Sequence, residues 1–264
     1  MGIDIAANVA LGLELADLAD RITVDRFRAA DLVVATKPDL TPVSEADQAV
    51  ERIIRARLTE VASDHAVLGE EYGADEGSED AEYRWIIDPI DGTKNYVRGI
   101  PVWATLLGLE HRGELVVGVV SAPLLGSRWW AGRGAGAFRD GTAITASRIA
   151  SISDAQLSCA WDTTGAYGAG EVDAMGDKLV ALSHRCWRTR GFGDFWQHVM
   201  VADGTCDISC DPVLSYWDAA ALIPILDEAG ARWSTVQGAR DARSATSLVC
   251  TNGLLHDEVL AALA

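Results

Sequence analysis

The chain has 264 residues, 49% of them hydrophobic and 23% charged, a balance that excludes a disordered or fibrous polypeptide and supports a core that stands without disulfide or zinc staples. Thirty-nine acidic against 22 basic side chains give a formal charge of −17, which repels phosphodiester backbones and argues against nucleic acid as a partner. The longest stretches without Asp, Glu, Lys or Arg, 115–127 and 244–256, have 13 residues each, short of the roughly 18 that cross a bilayer, so no membrane-spanning segment is expected.

The N-terminal segment carries Asp4, Glu14 and Asp17 and has no basic residue before Arg21, unlike a secretory leader, and a cytoplasmic location is expected. Apolar residues from Ile5 to Val24 recur mostly at three- and four-residue steps, which predicts an amphipathic helix over 4–30. The two-proline segment 36–42 reads as a loop able to move. Ser44-Glu45-Ala46-Asp47 sets an N-cap hydroxyl ahead of an acid three residues on and predicts a helix from Ser44 to about Val61, its capping box imperfect because Asp replaces Glu or Gln. Short β-type runs follow at 65–68, 83–87, 102–109, 115–120 and 128–131, with Arg112-Gly113 as a hairpin turn, and predict a partly antiparallel meander. Beyond 151, helices near 171–183, 194–202 and 217–229 and a closing helix alternate with strands near 185–189, 205–210 and 247–251. The five cysteines, an odd set without a C-x-x-C pair, read as buried thiols. With no repeat and no long linker, 1–264 is expected to form a single unit with approximate halves 1–150, rich in antiparallel sheet, and 151–264, α/β.

Trp85-Ile86-Ile87-Asp88-Pro89-Ile90-Asp91-Gly92-Thr93 is an apolar strand that delivers two carboxylates into a turn. Carboxylate, backbone carbonyl and carboxylate suit the oxygen-only, octahedral preference of Mg²⁺. Gly92 and Thr93 open a short helix whose free N–H groups and positive dipole end would take phosphate oxygens. Alone, such D-P and D-G steps also read as a surface turn. Two more acidic clusters favour the metal: Glu70 and Glu71 leave the strand 65–68, and Asp218 stands in the first turn of an apolar helix. Carboxylates gathered from distant segments are how two-metal phosphoryl-transfer sites are assembled.

These motifs, with Trp217-Asp218-Ala219-Ala220 leading to Glu228-Ala229-Gly230 and the glycine-rich 132–138 followed by Asp140-Gly141 and Ser147, resemble the inositol monophosphatase superfamily of Mg²⁺-dependent phosphomonoesterases along essentially the whole chain. The resemblance implies a mixed α/β fold, a layered αβαβα sandwich of the inositol monophosphatase/fructose bisphosphatase type, usually a homodimer. It implies Glu70, Asp88 and the Ile90 carbonyl on one Mg²⁺, Asp88, Asp91 and Asp218 on a second, and a third, weaker ion near Glu70. Gly92 and Thr93, beside Asp91, would hold the phosphate, and Thr93 and Asp47, with Glu70, would order the attacking water. The bound ions would reverse the local sign of charge, which lets an acidic protein take an anionic phosphate monoester.

Within the superfamily, Arg188-Thr189-Arg190, Gly193-Asp194, Trp129-Trp130 and 220–224 look most like the histidinol-phosphate phosphatase branch. Phe192-Gly193-Asp194-Phe195-Trp196 stands where inositol-type members carry small residues, and Asp211 where they carry a Glu seven residues before the Asp of W-D. Two carboxylates flanked by aromatics suit a leaving group with a cation and a flat ring, and histidinol phosphate has both an ammonium and an imidazole. Asp194 also reads as a helix N-cap, and Arg190 as a phosphate contact or as a partner for one of the many acids. Histidinol phosphate is the expected substrate. An inositol, sugar or nucleotide phosphatase and a non-catalytic protein on the same scaffold are the alternatives.

Overall fold

The computed structural model describes residues 3–38, 40–159 and 169–264, with 169–174 described by their backbone; Asp39 of the 36–42 segment lies outside the described residues. Helix α1 (Ile5–Arg26) starts on Asp4, whose carboxylate accepts from Ala7 N, and ends short of residue 30 because Phe27 turns extended and Arg28 adopts φ 60°. Strands β1 (Val34–Thr36) and β2 (Pro42–Ser44) form an antiparallel hairpin, so the expected loop is its tip. Ser44 caps α2 (Glu45–Val61), and Asp47 completes the capping box by accepting from Ser44 N at 2.8 Å.

Strands β3 (His65–Gly69), β4 (Gly73–Ala74), β5 (Tyr83–Asp91), β6 (Ala104–His111), β7 (Glu114–Ala122), β8 (Ser127–Gly132), β9 (Gly136–Arg139) and β10 (Thr142–Ala143) build one sheet in the order β10-β9-β8-β7-β6-β5-β3-β4, with the short helix α3 (Thr93–Val97) between β5 and β6. Arg112 and Gly113, at φ 54° and 84°, make the two-residue turn from β6 to β7, the left-handed pair that a tight hairpin needs. Every pairing in this sheet is antiparallel except β3 with β5. That exception matters, because parallel strands end on the same side: Gly69 pairs with Ile87, and Glu70 and Asp88 emerge together.

The second sheet, β12-β11-β13-β15-β14, combines β11 (Gln156–Cys159), β12 (Arg188–Arg190), β13 (Ile208–Asp211), β14 (Arg232–Ser234) and β15 (Leu248–Thr251), with β11 parallel to β12 and β13. Strands β12 and β13 each begin three residues later than the apolar runs suggested. Helices α4 (Ala169–Ser183), α5 (Asp194–Ala202), α6 (Tyr216–Ala220), α7 (Leu222–Glu228) and α8 (His256–Leu263) complete the α-helices among the described residues. Leu15, Ile54 and Leu58 of α1 and α2 pack on Trp85, Leu107 and Val119 at one face of the first sheet. Leu106 and Val120 on its other face meet Phe195, Ile225 and Leu248. Beyond the second sheet, Leu157 and Val249 pack on Leu179, Leu182 and Val259 of α4 and α8. The layers are therefore αβαβα.

The single helix expected over 217–229 is two. Pro224 lacks the N–H that would bond the Ala220 carbonyl, and its ring crowds that carbonyl, so the helix breaks at Ala221. The first sheet is bare beneath the break: a Cβ on Gly118 would lie 2.0 Å from Ala221 O. All five cysteines are free thiols, and four are buried; Cys186 is partly exposed, which corrects the expectation of five buried ones.

Candidate active site

The buried strand β5 runs into Asp88-Pro89-Ile90-Asp91, where its register against β6 shifts between Asp88 and Asp91. Proline has no ladder N–H to give at this bulge, and Thr105 Oγ1 holds the Pro89 carbonyl at 2.8 Å. The bulge lets two carboxylates converge instead of alternating across the sheet. Ligand oxygens of Asp88, Asp91 and Asp218 all lie within 4.8 Å of one another. Asp88 Oδ1 accepts from Ile90 N at 3.0 Å, Asp91 Oδ2 from Phe195 N at 2.6 Å, and Asp218 Oδ2 from Ser215 N at 2.6 Å, so each is anchored by backbone.

Burial, then the nearby charges of Glu70, Asp91 and Asp218, push the Asp88 carboxyl well above the usual range. Burial, then Asp194 and Asp218, does the same to Asp91, and burial lifts Asp218 to about 7. Acids forced together in this way await positive charge. Glu70 faces Lys37 from the β1–β2 tip, whose Nζ lies 2.7 Å from both Glu70 Oε1 and Glu71 Oε1. Burial opposes the Lys37 charge, but the two carboxylates outweigh it and hold its pKa above the ordinary value. Burial raises Glu71 to about 7 against that pairing.

Thr93 opens α3 after Gly92, which takes the left-handed φ of 84°. Its Oγ1 lies 2.9 Å from the Ile90 carbonyl and 3.2 Å from Asp47 Oδ1. Asp47 is fully buried, and that burial raises its carboxyl. Glu70, Asp88, Ile90, Asp91, Gly92, Thr93, Asp194 and Asp218 line one cleft of about 260 Å³. Asp211 lines an adjoining chamber of about 110 Å³ that shares Asp91, Asp194 and Asp218 with the cleft.

Asp194 is not the N-cap of α5. Gly193 holds that place, and Asp194 sits at φ 47°, with Oδ2 accepting from Asn95 Nδ2 at 2.9 Å. A left-handed aspartate at a cleft wall is strain that the packing must impose. Arg190 lies elsewhere: it is exposed on β12, donates to the Thr189 carbonyl at 2.8 Å, and lines neither space. Sequence reasoning missed Lys94 on the cleft wall, Asn95 behind Asp194 and His198 in the chamber, and quoted Trp217 in its motif without giving it a place on that wall. Lys94 and Trp217 adjoin flagged residues, and adjacency was the available signal. His198 had none, since only folding turns that face of α5 inward.

The sequence model of the Inositol monophosphatase family matches residues 6–264. The protein named Histidinol-phosphatase from Streptomyces coelicolor is 46% identical over 93% of this chain and 92% of its own length. Its namesake from Mycobacterium tuberculosis is 46% identical over 96% of both chains. The crystal structure of the extragenic suppressor protein suhB from Bartonella henselae superposes with a TM-score of 0.89 at 28% identity, covering 97% of this chain and 98% of that one.

Proposed function

Because the chain belongs to the inositol monophosphatase family, we propose that it is a histidinol-phosphatase, a phosphoric monoester hydrolase that converts histidinol phosphate to histidinol and phosphate. The observation that carries this reading is the converging trio Asp88, Asp91 and Asp218 opening onto a second chamber walled by Asp194 and Asp211. The first feature serves phosphoryl transfer. The second adds negative charge where the leaving group would lie, which favours a cationic one.

Three converging carboxylates whose charging is resisted by burial fit a divalent cation, and oxygen-only donors favour Mg²⁺. Glu70, Asp88 and the Ile90 carbonyl would hold one ion, Asp88, Asp91 and Asp218 a second, and a third, weaker one would lie near Glu70. When bound, such ions acidify water and offset charge on ester oxygens. The chain's own residues do the rest. Thr93 Oγ1 donates toward Asp47 and keeps a lone pair for the proton of the attacking water, orienting it. Gly92 and Thr93 hold the phosphate beside Asp91. Asn95 keeps Asp194 facing the leaving group, and Asp211 meets the same ammonium or imidazolium from the chamber. The 264 residues act as one catalytic unit, and a cytoplasmic homodimer is the assembly this reading expects.

Phosphate release with Mg²⁺ from histidinol phosphate, inositol phosphate, fructose bisphosphate and adenosine bisphosphate tests it. Histidinol phosphate should have the highest kcat/KM. Faster turnover of a polyol ester would transfer the assignment to that substrate, and no release from any would leave a non-catalytic scaffold.

A further inference from the structure

A buried carboxylate that the chemistry above does not use lies beneath the turn that carries Glu70. Glu51 stands on α2, one helical turn after Asp47, and is 0% exposed. Its Oε2 accepts from Glu71 N at 2.8 Å, and its Oε1 accepts from Tyr72 N at 3.3 Å and from Arg55 Nε at 2.8 Å. Arg55, one turn further along, donates to the Gly73 carbonyl at 2.5 Å and to Asp75 Oδ1 at 2.6 Å, and the other Asp75 oxygen accepts from Val67 N at 2.9 Å. The turn 70–72 and both strands flanking it are thus tied to one stripe of α2.

Gly69 reports how closely that carboxylate is fitted. A Cβ there would lie 2.0 Å from Glu51 Oε1 and 2.4 Å from Oε2. Gly69 is not among the positive-φ glycines, so its backbone suits any residue. The space, not the backbone, demands glycine. Asp47, Glu51 and Arg55 follow one another at four-residue steps on one helix face. The first meets Thr93, and the second holds the Glu70 turn.

We propose that Glu51 is a positioning residue for metal binding, which fixes the height of Glu70 over Asp88 through the Glu71 and Tyr72 N–H groups. This rests on the reading of Glu70 as a metal ligand. Two donors on one carboxylate leave the turn little freedom, and outer groups of this kind typically change metal affinity roughly 10- to 100-fold when altered.

Calorimetric titration of Mg²⁺ into the metal-free chain tests the proposal, with E51Q, G69A, E51A, the double variant E51A/G69A and E70Q beside the parent. E51Q keeps the volume but can no longer accept from every donor, and G69A drives a methyl into the carboxylate. Each should weaken Mg²⁺ binding roughly 10- to 100-fold while kcat at saturating Mg²⁺ falls much less. In the E51A background the added methyl meets empty space, so E51A/G69A should bind no more weakly than E51A. Additive losses in the double variant overturn the proposal. So does a lowered melting temperature in E51Q and G69A with unchanged Mg²⁺ affinity, which marks a purely structural role. If E51Q and G69A bind as the parent while E70Q is weakened, the positioning role fails and the ligand reading stands. If E70Q binds as the parent, the ligand reading fails and takes the proposal with it.

Discussion

The backbone N–H of Phe195 donates to Asp91 at 2.6 Å, so the first turn of α5 is pinned to the end of β5. One residue earlier, Asp194 is the strongest electrostatic influence on Asp91 after burial. The wall that would choose the substrate and the carboxylate that would hold the ion therefore meet at one hydrogen-bonded junction.

Asp194→Asn and Asp211→Asn should each weaken histidinol phosphate while sparing a small ester with an uncharged tail, such as a nitrophenyl phosphate. Losing one hydrogen bond to a charged group removes about 1.5 to 3 kcal/mol, which lowers kcat/KM roughly 10- to 150-fold. Steady-state kinetics on both substrates decide the matter: equal losses on the two esters would assign these carboxylates to the catalytic step.

Excess chelator should abolish phosphate release, and Mg²⁺ should restore it. Asp88→Asn should be the most damaging single change, since Asp88 has a place in both proposed ion sites and is crowded by Glu70, Asp91 and Asp218. Its loss of kcat/KM should exceed the roughly 10- to 100-fold typical of outer groups around a metal. Near-normal turnover by that variant would move the site elsewhere.

Asp218 is held at about 7 by burial, against an ordinary value of 3.8. Across that window the folded, metal-free chain keeps a proton that the unfolded chain has released. The stability contributed is full below about pH 4 and lost as pH rises to about 7. Metal-free Asp218→Asn should thus melt higher than the parent at pH 8, and this advantage should vanish near pH 4. With Mg²⁺ the order should reverse, as only the parent gains fully from binding. Melting curves by circular dichroism at the two pH values provide the comparison, and a variant that melts lower than the parent at pH 8 without metal would contradict it.

His198 behaves in the opposite sense. Burial lowers its pKa to about 3, and its Nδ1 lies 2.9 Å from Ser209 Oγ. As pH falls below about 6.5 the unfolded chain takes up a proton that the folded chain refuses, so stability declines toward pH 3. His198→Gln should flatten that decline in urea unfolding between pH 6.5 and 4. An unchanged slope would mean that His198 is not held neutral.

Much of this was legible in the residues. The strand ending in Asp88-Pro89-Ile90-Asp91, the capped start of α2 and the Arg112-Gly113 turn are local signals, and local signals survive folding. The split of 217–229 was present in the sequence as Pro224, but the unbroken apolar pattern overrode it. The true role of Gly193 was hidden because Asp is a better cap by rank, whereas in the structure the Asp194 carboxylate accepts from Asn95 and does not cap α5. Glu51 carried no signal in the sequence, because nothing in its neighbours says that a turn 20 residues away will lie on it.

The break at Ala221 gives the carboxylate of Asp218 a mounting of its own. Helix α7 is set in the central layer by Leu222, Ile223 and Ile225, whereas α6 is a five-residue stub anchored at its start by the Ser215–Asp218 bond. Ala219 of α6 is buried in the same core as Leu222, Ile223 and Ile225 of α7, so the two pieces share a core while their helical hydrogen-bond ladders are separate. Gly118 supplies the clearance that allows this joint to sit against the sheet. Replacing Pro224 with alanine would restore the N–H that can bond the Ala220 carbonyl, and Asp218 would then ride on one continuous helix with Leu222 and Ile225.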